Sequence, residues 1–122
     1  MIVAGFGFST RAGQNSLRDA LKQACDATGV SPDALATAED KAGTLQELAQ
    51  TLALPVVLVT AEAMTQQKTI TQSARAIQER ATGSVAEASA LAAAGPGARL
   101  LTPRLHAQDR LSTCALAQGA TS

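Results

Sequence analysis

Apolar residues open the chain as a run from Met1 to Phe8 that ends in Gly5-Phe6-Gly7, the pattern of a strand buried on both faces. Leu17, Ala20, Leu21 and Ala24, with Cys25 or Thr28, then recur at helical spacing. Ser16 and Asp19 form a capping box and Gly29 supplies a stop, which predicts a helix from Asn15 to Thr28. Ser31-Pro32-Asp33 reads as a cap ahead of a helical turn and a brief strand within Ala34 to Ala38. Thr44 and Glu47 make a second capping box, for a helix with Leu45, Leu48, Ala49, Leu52 and Ala53 on one face. Pro55 to Val59 has the β-branched content of a buried strand, with proline where a missing donor does least harm. Thr60 to Met64 follows as a capped helical turn, Thr65 to Ser73 as a mobile polar surface loop, and Ala74 to Ala81 as a short helix. Ser84 and Glu87 are a third capping box, opening an alanine-rich helix that Gly95-Pro96-Gly97 ends. Arg99 to Thr102 and Leu111 to Leu116 then read as an antiparallel pair joined by a polar connection.

Strands alternating with helices predict an α/β fold: a three-layer α/β/α sandwich around a mixed, mostly parallel sheet of about five strands ending in an antiparallel hairpin. One domain over residues 1–117 is expected, with 118–122 as a small, polar, disordered tail. Ligands of open α/β sheets settle beyond the carboxyl ends of the parallel strands, which directs attention to Ser9 to Gly13, Glu39 to Gly43, and Thr60 onward.

Composition narrows the picture. The 122 residues suit a single core, and the 46% hydrophobic content includes two Phe and no Trp or Tyr, so that core is built from small aliphatic side chains. Ten basic and ten acidic residues cancel, without the basic patches of nucleic-acid or membrane-surface binders. The N-terminus has no basic n-region or long apolar h-region, and the chain has no run of about 18 apolar residues, which points to a cytoplasmic protein. Cys25 and Cys114 lie far apart, without partners at metal-ligand spacing, and read as two separate buried thiols.

The motifs that carry chemistry are few. Gly5-Phe6-Gly7 after a strand invites a dinucleotide reading, but Thr10 stands where the third glycine belongs and the chain is too short for the two-halved cofactor fold. A tight strand exit and close helix packing account for the glycines otherwise. Ser9, Thr10 and Arg11 set two hydroxyls and a guanidinium beside a helix start, which suits a carboxylate or phosphate, although Arg11 alone is equally a solvated side chain. Acidic residues such as Asp40 ordinarily complement a helix dipole, whereas Lys41 puts a cation near a helix start, where anions are preferred. Gly83-Ser84-Val85 is a helix cap whose free amides can equally bind an acidic group. His106 reads as a surface histidine in the polar connection, and no Gly-x-Ser-x-Gly elbow, P-loop or His-Glu-x-x-His occurs.

Taken in order, these segments resemble the stand-alone CobE proteins and the C-terminal domain of CbiG. The resemblance runs through Val3-Ala4-Gly5-Phe6-Gly7 with Arg11, Asp40-Lys41-Ala42, Leu54-Pro55, and Thr60-Ala61-Glu62. It continues with Gly83-Ser84-Val85-Ala86-Glu87-Ala88, then Arg99-Leu100-Leu101-Thr102-Pro103, and a short closing strand. Phe8-Ser9 departs from an expected small residue followed by Arg, and Arg104 replaces a usual lysine while keeping its charge. The resemblance implies a protein of cobalamin biosynthesis that binds or handles a precorrin or corrinoid intermediate, a carboxylate-rich tetrapyrrole. Its further partners would be other enzymes of that pathway. The alternative it implies is a hydrolase of the CbiG type, opening the δ-lactone of a ring-contracted precorrin and releasing a two-carbon fragment. The substrate contacts so implied are Gly5, Phe6, Gly7, Ser9, Thr10, Arg11, Asp40, Lys41, Gly83, Ser84 and Val85. No catalytic residue, cofactor or metal is assigned.

Overall fold

The computed structural model describes residues 1–80 and 82–120. β1 (Ile2–Phe8) leads through α1 (Gln14–Thr28) to β2 (Ala34–Ala38), and a 3-10 turn (Glu39–Lys41) leads into α2 (Ala42–Leu52) and β3 (Val56–Val59). The chain continues as α3 (Ala61–Thr65), α4 (Ala74–Arg80) and α5 (Val85–Ala94), and closes with β4 (Arg99–His106) and β5 (Ser112–Gln118). The sheet order is β3-β2-β1-β5-β4. β1, β2 and β3 run parallel, and β5 is antiparallel to both β1 and β4. The expected α/β/α sandwich with a closing hairpin is therefore present.

Alternation along β1 divides the core. Ala4 and Phe6 join Leu35, Cys114 and Leu116 against Leu17, Ala20 and Leu21 of α1 and Leu45 and Leu48 of α2. On the opposite face Val3, Ala34, Ala36, Ala38 and Val59 meet Met64 of α3 and Ala88 of α5. Every residue of β2 is buried, as a strand covered on both sides requires. The second layer is unusually close at Gly5. A Cβ there would lie 2.1 Å from the Ala86 carbonyl oxygen and 2.6 Å from the Ala90 amide nitrogen, so α5 rests directly on the backbone of β1.

Several local expectations are corrected. Gly13, in extended conformation and without a side-chain cap, starts α1. Ser16 and Asp19 do not close a capping box: Ser16 Oγ bonds Asp109 and Ser112, and Asp19 accepts the Gln108 amide, so both tie α1 to the β4–β5 turn. Asp33 caps no helical turn; its carboxylate takes the Ile2 amide at 2.8 Å and fastens the entry of β2 to β1. α2 begins ahead of Thr44, Glu47 accepts from Gln14 instead, and Ala53 leaves the apolar face as a left-handed C-cap with φ of 57°. β3 is an edge strand, with Leu58 exposed, because nothing pairs beyond it. The closing strands are longer than their apolar cores suggested: β4 reaches His106, and β5 takes in Gln118. Of the predicted helix end and tail, Ala81, Thr121 and Ser122 lie outside the described residues.

Both cysteines are unpaired, in α1 and β5, and burial pushes each thiol above its ordinary range, Cys114 the further. No helix is long and apolar enough to cross a membrane, among the residues described. The contact at Gly5 yields a direct test. Gly5→Ala is expected to lower unfolding free energy by about 3 kcal/mol or more, since backbone and not a flexible side chain blocks the added methyl. Gly43→Ala, where a Cβ meets nothing within 4 Å, should not destabilise. Urea midpoints of the two variants decide the matter.

Candidate functional site

A cleft of about 360 Å³ opens at the carboxyl ends of β1 and β2, where β1 has β2 on one side and β5 on the other. The chain passes from β1 to β2 through α1 on one face of the sheet, and reaches β4 and β5 only after α5 on the other. This reversal is where open α/β sheets leave a crevice. Gly7, Phe8, Ser9 and Thr10 supply one wall as β1 runs out, and Thr37 supplies part of the floor. The Thr37 hydroxyl donates to the Phe6 carbonyl at 2.9 Å and that of Thr113 to the Gly7 carbonyl at 3.2 Å, locking the strand ends together under the cleft.

Charge enters from four separate segments. Lys41 comes from the turn after β2, Arg75 from α4, Arg104 from β4, and Arg110 from the β4–β5 turn, where its φ is 61°. His106 joins them from β4. Among the described residues that line the cleft, none is acidic. His106 is partly buried, with Nδ1 shut away from solvent and without a hydrogen-bond partner. Burial first, and then the charges of Arg104 and Arg110, hold its pKa below the ordinary 6.5.

The wall carrying Arg75 and Arg104 depends on Glu87. This residue is 0% exposed, and its Oε1 accepts the amides of Ile70 at 2.6 Å and Thr71 at 3.0 Å, while Oε2 accepts the amide of Arg104 at 3.0 Å. The pairing of β4 with β5 shifts register between Thr102 and Leu105, which takes Arg104 out of the regular ladder and leaves its amide to this carboxylate. Ser84 Oγ accepts the Glu87 amide at 3.2 Å, so half of the predicted capping box forms; the carboxylate is spent on β4 and on the strap that joins α3 to α4 through Ile70 and Thr71. Burial pushes the Glu87 carboxyl up, but hydrogen bonds from Thr71, Arg104 and Ile70 outweigh it and hold the group below the usual glutamate value.

Five of the eleven predicted contacts meet in the cleft: Gly7, Ser9, Thr10, Lys41 and Val85. The others lie elsewhere. Gly5 is covered by α5, and Phe6 is buried in the core on the α1 side. Arg11 is exposed outside the cleft lining, its amide donating to Ser9 Oγ at 3.2 Å, and Asp40 is likewise outside the lining. Gly83 and Ser84 are buried behind the wall. A Cβ on Gly83 would come within 2.3 Å of the Thr71 carbonyl oxygen, and the Ser73 amide donates to the Gly83 carbonyl at 2.8 Å, so this glycine seats the strap. His106 is a half-buried strand residue in the cleft, not a surface residue in a connection. The residues that sequence reasoning missed are chiefly Arg75, Arg110, His106, Ser112 and Thr113. Only Arg104 carried a signal, a basic residue standing where the resemblance calls for lysine. No group of three or more His, Cys, Asp or Glu is arranged to hold a metal ion, among the described residues.

Glu87→Gln replaces one acceptor oxygen with a donor facing amides that already donate. A loss of about 2–4 kcal/mol at neutral pH is expected. A carboxyl with a lowered folded pKa gives stability that is complete above its unfolded value, near 4.5, and is lost as pH falls through the folded one. Stability of the wild type should therefore decline more steeply below pH 4.5 than that of Glu87→Gln; chemical denaturation across this range, read by circular dichroism, should show the two curves converging.

With the geometry in place, likeness to known proteins is informative. A family model described as "Cobalamin synthesis G C-terminus" matches residues 2–117. No curated protein matches. Among solved structures, that of CobE, a protein from the cobalamin (vitamin B12) biosynthetic pathway, superposes with a TM-score of 0.88 at 32% identity, covering 100% of this chain and 92% of that one. The cobalamin biosynthesis protein chiG from Agrobacterium tumefaciens str. C58 gives 0.78 at 35% identity, covering 99% and 100%. A putative cobalamin biosynthesis protein G homolog from Sulfolobus solfataricus shares the fold, with a TM-score of 0.77 at 21% identity, over 98% of this chain and 37% of that one.

Proposed function

The chain belongs to the cobalamin synthesis G C-terminal family, a family of cobalamin biosynthesis proteins, and on that premise we propose that it binds a carboxylate-rich corrin precursor in the cleft beyond β1 and β2. The observation that carries the proposal is the convergence of Lys41, Arg75, Arg104 and Arg110 on one cleft whose described lining holds no acid. Precorrins present acetate and propionate side chains around the rim of the ring. Guanidinium groups pair with such carboxylates in two-pronged hydrogen bonds, and a lysine adds a mobile point charge. The start of α5 at Val85 adds the positive end of a helix dipole to the same space. The cleft is at the small end of ligand sites, so it receives one edge of a macrocycle while the rest stays outside.

Titration with hydrogenobyrinic acid, followed by its visible spectrum, tests the proposal. Saturable binding is expected at concentrations on the order of tens of micromolar or lower, weakening as salt is raised. Arg104→Ala and Lys41→Ala should each weaken it about tenfold or more, whereas Arg11→Ala should change it less than about twofold. Absence of any spectral change in this range, or equal loss in all three variants, would dispose of the cleft as the site.

A further inference from the structure

We infer that His106 makes occupation of this cleft proton-linked: the imidazole takes up a proton as a ligand carboxylate settles among Arg104, Arg110 and His106. The inference rests on the reading of the cleft as a polycarboxylate site and names a contact within it. His106 and its two arginine neighbours line the same cleft, and Nδ1 has no hydrogen-bond partner. The neutral ring is therefore best served by a proton on Nε2. A second proton would create a cation beside two others, with no acceptor for its N–H. Three acids of the surrounding elements α1, α5 and the β4–β5 turn are committed elsewhere. Asp19 accepts the Gln108 amide, Asp109 accepts the Ser16 hydroxyl and the Leu111 amide, and Glu87 is saturated by Ile70, Thr71 and Arg104. Lys41 and Arg75 add positive charge from the remaining walls.

A bound carboxylate changes the balance. It neutralises the guanidinium field and can accept the Nε2–H in a bond that strengthens when the ring is charged, so the imidazolium is favoured relative to the empty cleft. The lowered pKa of the free residue agrees in direction, since it leaves His106 neutral at pH 7 and able to gain a proton. By linkage, affinity then rises as pH falls through the interval between the free and bound midpoints. The limit is about tenfold per pH unit for one proton.

His106 is the only histidine of the chain, so its imidazole Cε1–H resonance in tag-free protein is unambiguous. The midpoint of its proton titration is expected below 6.5 in the free protein, and higher by about half a unit or more, a threefold or greater gain in proton affinity, with saturating hydrogenobyrinic acid. Between pH 7.5 and 5.5 the wild type should gain affinity, whereas His106→Gln should bind with an affinity that no longer rises across that range. An unshifted midpoint at saturation, confirmed by the visible spectrum, would overturn the proton linkage and leave the polycarboxylate site standing. Failure to bind at all would overturn both.

Discussion

The arrangement of this molecule turns on one buried carboxylate. Glu87 lies at the start of α5 with no solvent contact, and its two oxygens collect amides from the strap at Ile70 and Thr71 and from β4 at Arg104. An ionised group without solvent is tolerated only when hydrogen bonds replace its hydration, and here backbone donors do so. The consequence is geometric. The strap that leads to Arg75 and the strand that carries Arg104 are held to one point, so backbone segments bearing two of the four cations of the cleft are tied together although they are distant in sequence.

That point must itself be fixed, and the small residues of the core achieve this. Gly5 admits the backbone of α5 onto β1 at Ala86 and Ala90, where any side chain would force the helix away. Gly83 admits the strap in the same manner on the other side of Ser84. The scarcity of aromatic residues and the abundance of alanine thus correspond to layers packed at short range, with helix starts and strand ends brought close enough for a carboxylate to reach three amides. Two of the glycines expected at a ligand prove to serve packing, and the cleft depends on them indirectly.

The layers and the order of elements were legible because they depend on local periodicity: helical spacing in α1 and α2, the alanine-rich α5, and the apolar run of β1. Capping boxes were less dependable. At Ser16 and Thr44 the pattern was present but the side chains found distant partners, Asp109 and Ser112 in one case and, through Glu47, Gln14 in the other. Such competition is invisible to a window of four residues. The candidate site was legible on the side built from near-consecutive residues, Gly7, Ser9, Thr10 and Lys41, and illegible on the side built by the β4–β5 hairpin. His106 looked like a loop residue because the extent of β4 is set by pairing with β5, not by its own apolar content, and Arg110, a turn residue, reaches the cleft through that hairpin.

Net charge concealed the most informative property of the chain. Ten acidic and ten basic residues sum to zero, yet the described lining of the cleft gathers four cations and a histidine and no acid. Carboxylates of neighbouring elements are kept out by structural work: Asp19 of α1, Asp109 of the β4–β5 turn and Glu87 of α5 each bind amides or hydroxyls of the framework. A framework that engages Asp19, Asp109 and Glu87 while its cleft lining gathers cations is suited to an anionic ligand. Because the cations issue from four different segments instead of one loop, the complementary ligand is one whose negative groups are distributed around an edge, as in a ring bearing several carboxylates, more than a single compact anion.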